Sequence, residues 1–208
     1  MEVRTLRLGA LGTNCYILSD GENADCAVID PADEYGVIRN ELAHLGLRVS
    51  AVLLTHVHFD HIGALNELAR DEHATVYVGE KDKAALTDTR LNLSAFGNPI
   101  VFEENAVSVN DGSVIRVGNS KITVLETPGH TPGSVCYLTE VGVFCGDTVF
   151  REGIGRTDFP GGSTSAILDS LDTILSLDED RILYPGHGFE TTVGHEKRHN
   201  PYYHSKTI

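Results

Sequence analysis

The sequence predicts a mixed α/β domain over residues 1–208, and three observations point to it. Short apolar runs of strand length alternate with helical patterns in both halves of the chain. With 208 residues, 41% of them hydrophobic, the chain can bury one sizeable core. Four of the apolar runs stop at a histidine or an aspartate, as strands do where they open onto a functional crevice.

The elements follow in order. "CYILSD" and "CAVIDP" read as neighbouring strands across a polar Gly-Glu-Asn turn. Asp33 to Leu45 places Val37, Ile38, Leu42 and Leu45 on one face, an amphipathic helix closed by Gly46. "AVLLT" is a buried strand, Ile62 to Ala69 a helix with Leu65 and Leu68 inward, and "TVYVG" another strand. Between Lys81 and Val101 the pattern weakens, and "TRLNLSAFGNPI" reads as an irregular surface excursion beside a pocket. Strands resume with "SVIRV", "KITVLET", "SVCYLT" and "VGVFCG". A helix over Ser163 to Leu175 leads to a last strand, "RILYPG", and the polar tail "GHEKRHNPYYH" predicts a short helix stopped before Pro201.

Composition removes several classes of function. The net charge of −14 comes with no Lys/Arg cluster, so a phosphate backbone is repelled and no nucleic-acid partner is expected. No apolar stretch is long enough to span a membrane, and "MEVRTLRLGALGTNCYILSD" has no signal-peptide core; the expectation is a soluble cytoplasmic protein. Cys15, Cys26, Cys136 and Cys145 lack C-x-x-C spacing and read as buried reduced thiols. The sequence does not indicate an oligomeric state.

The chemistry concentrates at the strand ends. "AVLLT" runs into His56, "KITVLETPG" into His130, "VGVFCG" into Asp147 and "RILYPG" into His187. In "THVHFDHIG", His56 and His58 are two apart, which directs both to one side of an extended backbone. Asp60 and His61 follow where a helix begins, with Asp60 the expected N-cap. Five histidines and two carboxylates so placed fit two adjacent cations. Any one of them alone would read as a turn residue; His44, His73, His195, His199 and His204 lack this context and read as surface groups.

"THVHFDH" resembles the T-H-x-H-x-D-H signature of the metallo-β-lactamase superfamily, and His130, Asp147 and His187 follow in that family's order. The resemblance covers nearly the whole chain. It implies an αβ/βα sandwich, two mixed β-sheets packed face to face with helices outside. It also implies that His56, His58 and His130 hold one metal, that Asp60, His61 and His187 hold the other, and that Asp147 bridges them. Two divalent ions are therefore expected, zinc first, with iron or manganese as alternatives.

A hydroxide between two cations is nucleophilic at neutral pH, because a metal lowers the pKa of water from 15.7 to ~7. Asp60 is the candidate to orient it or to move its proton. "GDTVFREGIGRTDFPGGS" is similar to the segment after the bridging aspartate in glyoxalase II-like hydrolases, which cleave glutathione thioesters. That resemblance makes a small thioester such as S-lactoylglutathione the expected substrate and Arg156 its expected contact; the alternative for Arg156 is an ion pair with Asp158. Little sequence follows His187, so the C-terminal helical domain of the classical enzymes is expected to be absent, as in the shorter forms. The main rival is a persulfide dioxygenase, which would use one iron on residues corresponding to His56, His130 and Asp147. β-Lactamase, nucleic-acid processing and flavodiiron readings rank below it, as does a non-catalytic metal-binding role.

Overall fold

The computed structural model describes residues 1–204. Six strands form the first sheet in sequence order: β1 (Glu2–Leu8), β2 (Thr13–Ser19), β3 (Asp25–Ile29), β4 (Arg48–Leu53), β5 (Thr75–Gly79) and β6 (Ala106–Val109). The first three pair antiparallel and the rest parallel. The second sheet begins with β7 (Val114–Val117), β8 (Ser120–Glu126), β9 (Val135–Leu138) and β10 (Val143–Gly146), all antiparallel. A small hairpin, β11 (Val149–Phe150) and β12 (Gly153–Ile154), stands apart from it. Then β13 (Ile182–Pro185) pairs parallel with β10, and β14 (Thr191–Thr192) closes the edge. Both sheets are mixed, as expected.

Alternation along the strands produces the layers. In β2, Cys15 and Ile17 join one apolar cluster while Tyr16 and Leu18 join another. Burial on both faces explains why these strands read as continuous apolar runs. The middle cluster packs Leu18, Ile29 and Leu53 of the first sheet against Ile122, Val124, Tyr137 and Phe144 of the second. The first sheet's outer face is covered by α1 (Tyr35–Leu45), through Ile38 and Leu42, and by α2 (Leu65–Glu72), through Leu65 and Leu68. The second sheet's outer face is covered by α3 (Thr164–Leu175), through Leu171, Ile174 and Leu175. Helix, sheet, sheet, helix is the αβ/βα sandwich.

Several boundaries depart from the sequence reading. α1 starts at Tyr35, and its buried stripe is narrower than predicted, because Val37 and Leu45 are exposed. Gly46 does close it in the left-handed region. α2 starts at Leu65, not Ile62; Gly63 and Ala64 dock instead on the segment after β3, their N–H groups donating to the carbonyls of Ala32 and Pro31. β1 buries only its last residue, Leu8, fully, and β6 and the strands of the β11–β12 hairpin are only 4 and 2 residues long, so none shows a readable period. In the tail, α4 (Val193–His199) does end before Pro201, but the proline starts a further turn, α5 (Pro201–His204), where its missing N–H costs nothing. All four cysteines are buried and unpaired.

Candidate metal centre

All seven predicted metal ligands converge at one end of the sandwich. Three overlapping groups have ligand atoms within 4.8 Å of one another: His56, His58 and His130; His56, His61 and Asp147; and Asp60, His61 and His187. Asp147 stands between the outer two, with Oδ1 3.4 Å from His61 Nε2 and Oδ2 3.5 Å from His130 Nε2 and 3.7 Å from His187 Nε2. The register between β10 and β13 shifts between Phe144 and Gly146, a bulge that re-aims the residue after it. Gly146 has φ 48°, and a Cβ there would collide with Thr55; a Cβ on Gly186 would collide with Asp147 Oδ1 and the His61 ring. These two glycines are requirements of the site as much as of the turns.

The hydrogen bonds determine which ring nitrogens are free. Thr55 Oγ1 donates to Asp30 Oδ2 at 2.6 Å, so its one proton is committed and it accepts from His56 Nδ1 at 3.1 Å. Asp30 Oδ2 also accepts from His61 Nδ1 at 2.9 Å, and the Arg156 carbonyl accepts from His130 Nδ1 at 2.7 Å. The Nε2 lone pairs of all three rings therefore face the centre. His58 Nδ1 lies 2.9 Å from His130 Nε2. His56 Nε2, His58 Nε2, His61 Nε2 and Asp147 Oδ1 are buried with no hydrogen-bond partner. Orphaned polar atoms in such density are costly in a protein interior. Lone pairs of histidine and carboxylate converging this way are the donor set of a divalent cation, so these residues fit a two-metal site.

Electrostatics favour lone-pair donation at His56 and His58, and positive charge, a proton or a metal ion that displaces it, at His61. Burial, reinforced by His61 and His130, pushes His56 well below the ordinary histidine range. Burial and His130 bring His58 down to about 3. Both rings are neutral at pH 7 and able to donate a lone pair. Burial opposes charge on His61 too, but the Asp147 and Asp30 carboxylates outweigh it and raise that ring well above the usual value. Burial likewise opposes ionisation of Asp147, yet the charge of His61 holds its carboxyl below the usual range.

Asp60 does not act as an N-cap. It lies inside a 3₁₀ turn, Phe59–His61, whose cap position is His58 and has no side-chain bond. Its Oδ2 accepts from Thr13 Oγ1 at 2.8 Å and lies 3.2 Å from His187 Nε2. The carboxylate is drawn inward because the histidines reward it more than a peptide N–H would. His187 is held in place from the other sheet: Asn14 N donates to Gly186 O at 2.8 Å, and Tyr16 OH donates to Pro185 O at 2.6 Å.

Arg156 stands at the mouth of the cavity above these residues, which encloses about 460 Å³ and is also lined by Leu11, Phe59, Leu93, Phe150 and Phe159. Its guanidinium forms the bidentate pair with Asp158, two bonds of 2.6 Å, and sits 4.0 Å from the centre of the Phe159 ring. Leu93 comes from the irregular excursion, which does lie beside the pocket. Asn92 holds that segment, accepting from Phe59 N at 2.8 Å through its carbonyl and donating its amide to Ala85 O and Ile100 O.

Two supporting residues escape the sequence reading. Asp30 anchors His61 and, through Thr55, His56. A signal existed: "CAVIDP" ends in an aspartate just as the other site strands end in ligands. Asp82 is buried and accepts from Thr131 Oγ1 and Gly133 N, both at 2.7 Å, bracing the loop that carries His130. Nothing in "EKDKAAL" distinguishes it from a solvated charged run. Elsewhere, His195 pairs with Glu152 at 2.9 Å outside the centre, and Arg198 faces Glu179.

Comparison with known proteins agrees with this geometry. Residues 8–187 match the model of the metallo-beta-lactamase superfamily. The chain is 33% identical to the hydroxyacylglutathione hydrolase GloC of Haemophilus influenzae, over the full length of both. The crystal structure of BLEG-1 B3 metallo-beta-lactamase superposes with a TM-score of 0.91 at 36% identity, covering 97% of this chain and 99% of that one. TTHA1623, solved in a di-iron-bound form, superposes with a TM-score of 0.87 at 35% identity, covering 96% of this chain and 100% of that one. The chain belongs to the metallo-beta-lactamase superfamily.

Proposed function

We propose that the protein is a binuclear metal-dependent hydrolase of small thioesters of the S-lactoylglutathione kind. The observation that carries this reading is Asp147, 3.4–3.7 Å from ring nitrogens of both outer ligand groups, beside buried ring nitrogens that have no hydrogen-bond partner. In this reading His56, His58 and His130 hold one ion, Asp60, His61 and His187 the other, and Asp147 both. Zinc or iron suits the donor set, with manganese behind them. When bound, such ions supply a water active as a nucleophile at neutral pH and an electrophile for the thioester carbonyl.

The chain's own residues do the rest. Thr13 holds Asp60 toward the centre, where its second oxygen can orient a water or carry its proton. Phe59, Phe159 and Leu93 shield the cavity from bulk water. The leaving thiolate, with a pKa near 8.5, needs no strong general acid. Arg156 is the group at the mouth able to meet a glutathione carboxylate, by exchanging Asp158 for the ligand. The 33% identity to a hydroxyacylglutathione hydrolase supports the thioester substrate. Four buried thiols suit a reducing compartment, the cytoplasm in this reading. Among the described residues no helix is long and apolar enough to cross a membrane.

The test is metal content together with turnover. Protein purified without added metal or chelator is expected to carry about two ions per chain and to hydrolyse S-lactoylglutathione. A single iron with oxygen uptake on glutathione persulfide would replace this reading with the dioxygenase. Faster hydrolysis of a cephalosporin than of any thioester would replace it with the lactamase, the activity named for the BLEG-1 neighbour.

A further inference from the structure

A second cavity of about 430 Å³ adjoins the one lined by the candidate ligands, and Leu11, Phe59, Asp60 and Leu93 line both. Its own walls are mainly apolar, with Leu8, Phe96 and Ile100 joining Leu11, Phe59 and Leu93. Both volumes fall in the range of small-molecule sites, and together they form a trough running past Asp60. Apolar side chains are left open around it: Phe96 is 90% exposed, Leu11 57% and Phe59 39%. Large apolar groups gathered unpaired at one mouth mark a place where something apolar docks.

Resting on the thioesterase reading, we propose that this second cavity is the acyl subsite and takes an uncharged, apolar acyl chain. A thioester's two arms meet at one carbonyl, and hydrolysis separates them. Water oxygen adds to the acyl carbon, the C–S bond breaks, and a carboxylate, a thiol and a proton result. With the carbonyl at the ligand cluster, one arm must leave past Arg156 and Phe159 and the other past Leu11 and Leu93. The Arg156 side suits a polar, anionic thiol. The other side has no lysine, arginine or histidine among its lining residues, and its ionisable groups are the acids Asp33 and Asp60. An anionic acyl group would be repelled there. The wall is also prepared in advance: Leu93 sits in the left-handed region at φ 65°, an unusual conformation for leucine, beside the Asn92 clamp. A preformed apolar wall binds chain length, whereas a lactoyl hydroxyl gains nothing from it.

The experiment uses the protein as purified and two series of thioesters, S-acyl-N-acetylcysteamine and S-acylglutathione, with acyl groups from acetyl to octanoyl and including lactoyl. The expected result is a kcat/KM that rises up to about fourfold per added methylene as far as hexanoyl, on either thiol. Phe96→Ala, which removes an exposed wall, and Ala10→Phe, which narrows the cavity, should each lower the hexanoyl-to-acetyl ratio by about tenfold. Calorimetry with S-hexyl-N-acetylcysteamine, a thioether with no thioester carbonyl to hydrolyse, reads the same wall without turnover, and Phe96→Ala should weaken its binding. Turnover that is flat with acyl length, or a gain that follows the thiol's size instead, overturns the subsite. Self-association that consumes Phe96 and leaves the ratio unmoved overturns it too. If no thioester is hydrolysed but S-alkyl binding strengthens with chain length and depends on Phe96, the thioesterase reading fails and the apolar site stands.

Discussion

The floor of the centre and its rim are built differently. On the floor, His56, His58, His61 and His130 are buried, and each of His56, His61 and His130 has its Nδ1 bonded to a neighbour. At the rim, Arg156 and Phe96 project from loops and are exposed, and the partner of Arg156 is only two residues away. Strand ends in a packed core fix a side chain to within the tolerance that metal ligation needs. Loops give a ligand something to move. His187, at 28% side-chain exposure, lies between the two regimes and is steadied by β2 from the opposite sheet.

The sharpest way to break the comparison is Asp147→Ala. It removes the one carboxylate facing both ligand groups, so metal content should fall by both ions and hydrolysis to background. Elemental analysis showing near-wild-type loading would end the assignment of Asp147 as the shared ligand. Asp30→Asn is next: it touches no substrate, yet should weaken metal retention against a chelator by roughly 10–100-fold, as loss of a ligand's supporting partner does. Unchanged retention would make Asp30 a fold residue only.

A third test uses pH on metal-free protein. His56 lies below its unfolded value in the fold, and His58 lies near 3. Between about 3 and the unfolded value of 6.5 the unfolded chain binds protons that the folded His58 does not, so stability should fall on acidification across that window. His61 and His187 are raised, so their contribution is present below 6.5 and fades as pH climbs through their folded values. His58→Gln should therefore flatten the acid limb of a melting-temperature profile and leave the alkaline limb in place. A parallel shift of both limbs would contradict this division.

The smallest effect belongs to the rim. Arg156→Ala keeps the carbonyl that holds His130, so metal loading should not change, while KM for glutathione thioesters should rise severalfold relative to N-acetylcysteamine thioesters. Equal effects on both would remove the anion-binding role of the side chain. A fall in metal content would show that the side chain, and not only the backbone, supports the floor.

The sequence by itself determined the class, the strands that carry the site and all seven converging side chains. Those depend on local signals: apolar runs, period, and a histidine or aspartate where each run stops. His56 and His58 share a side because an extended backbone alternates, and no distant residue has to be known to see it. Asp60 shows where that reasoning ends. Its position at a helix start pointed to a cap, and only the packing of Thr13 and His187 around it turned the carboxylate inward. Asp30 and Asp82 were decided the same way, by partners brought close across 25 to 51 residues of chain. The trough beside the centre is likewise a tertiary product. Leu11, Phe59, Leu93 and Phe96 lie on three separate loops, and nothing in their spacing relates them until both sheets have packed.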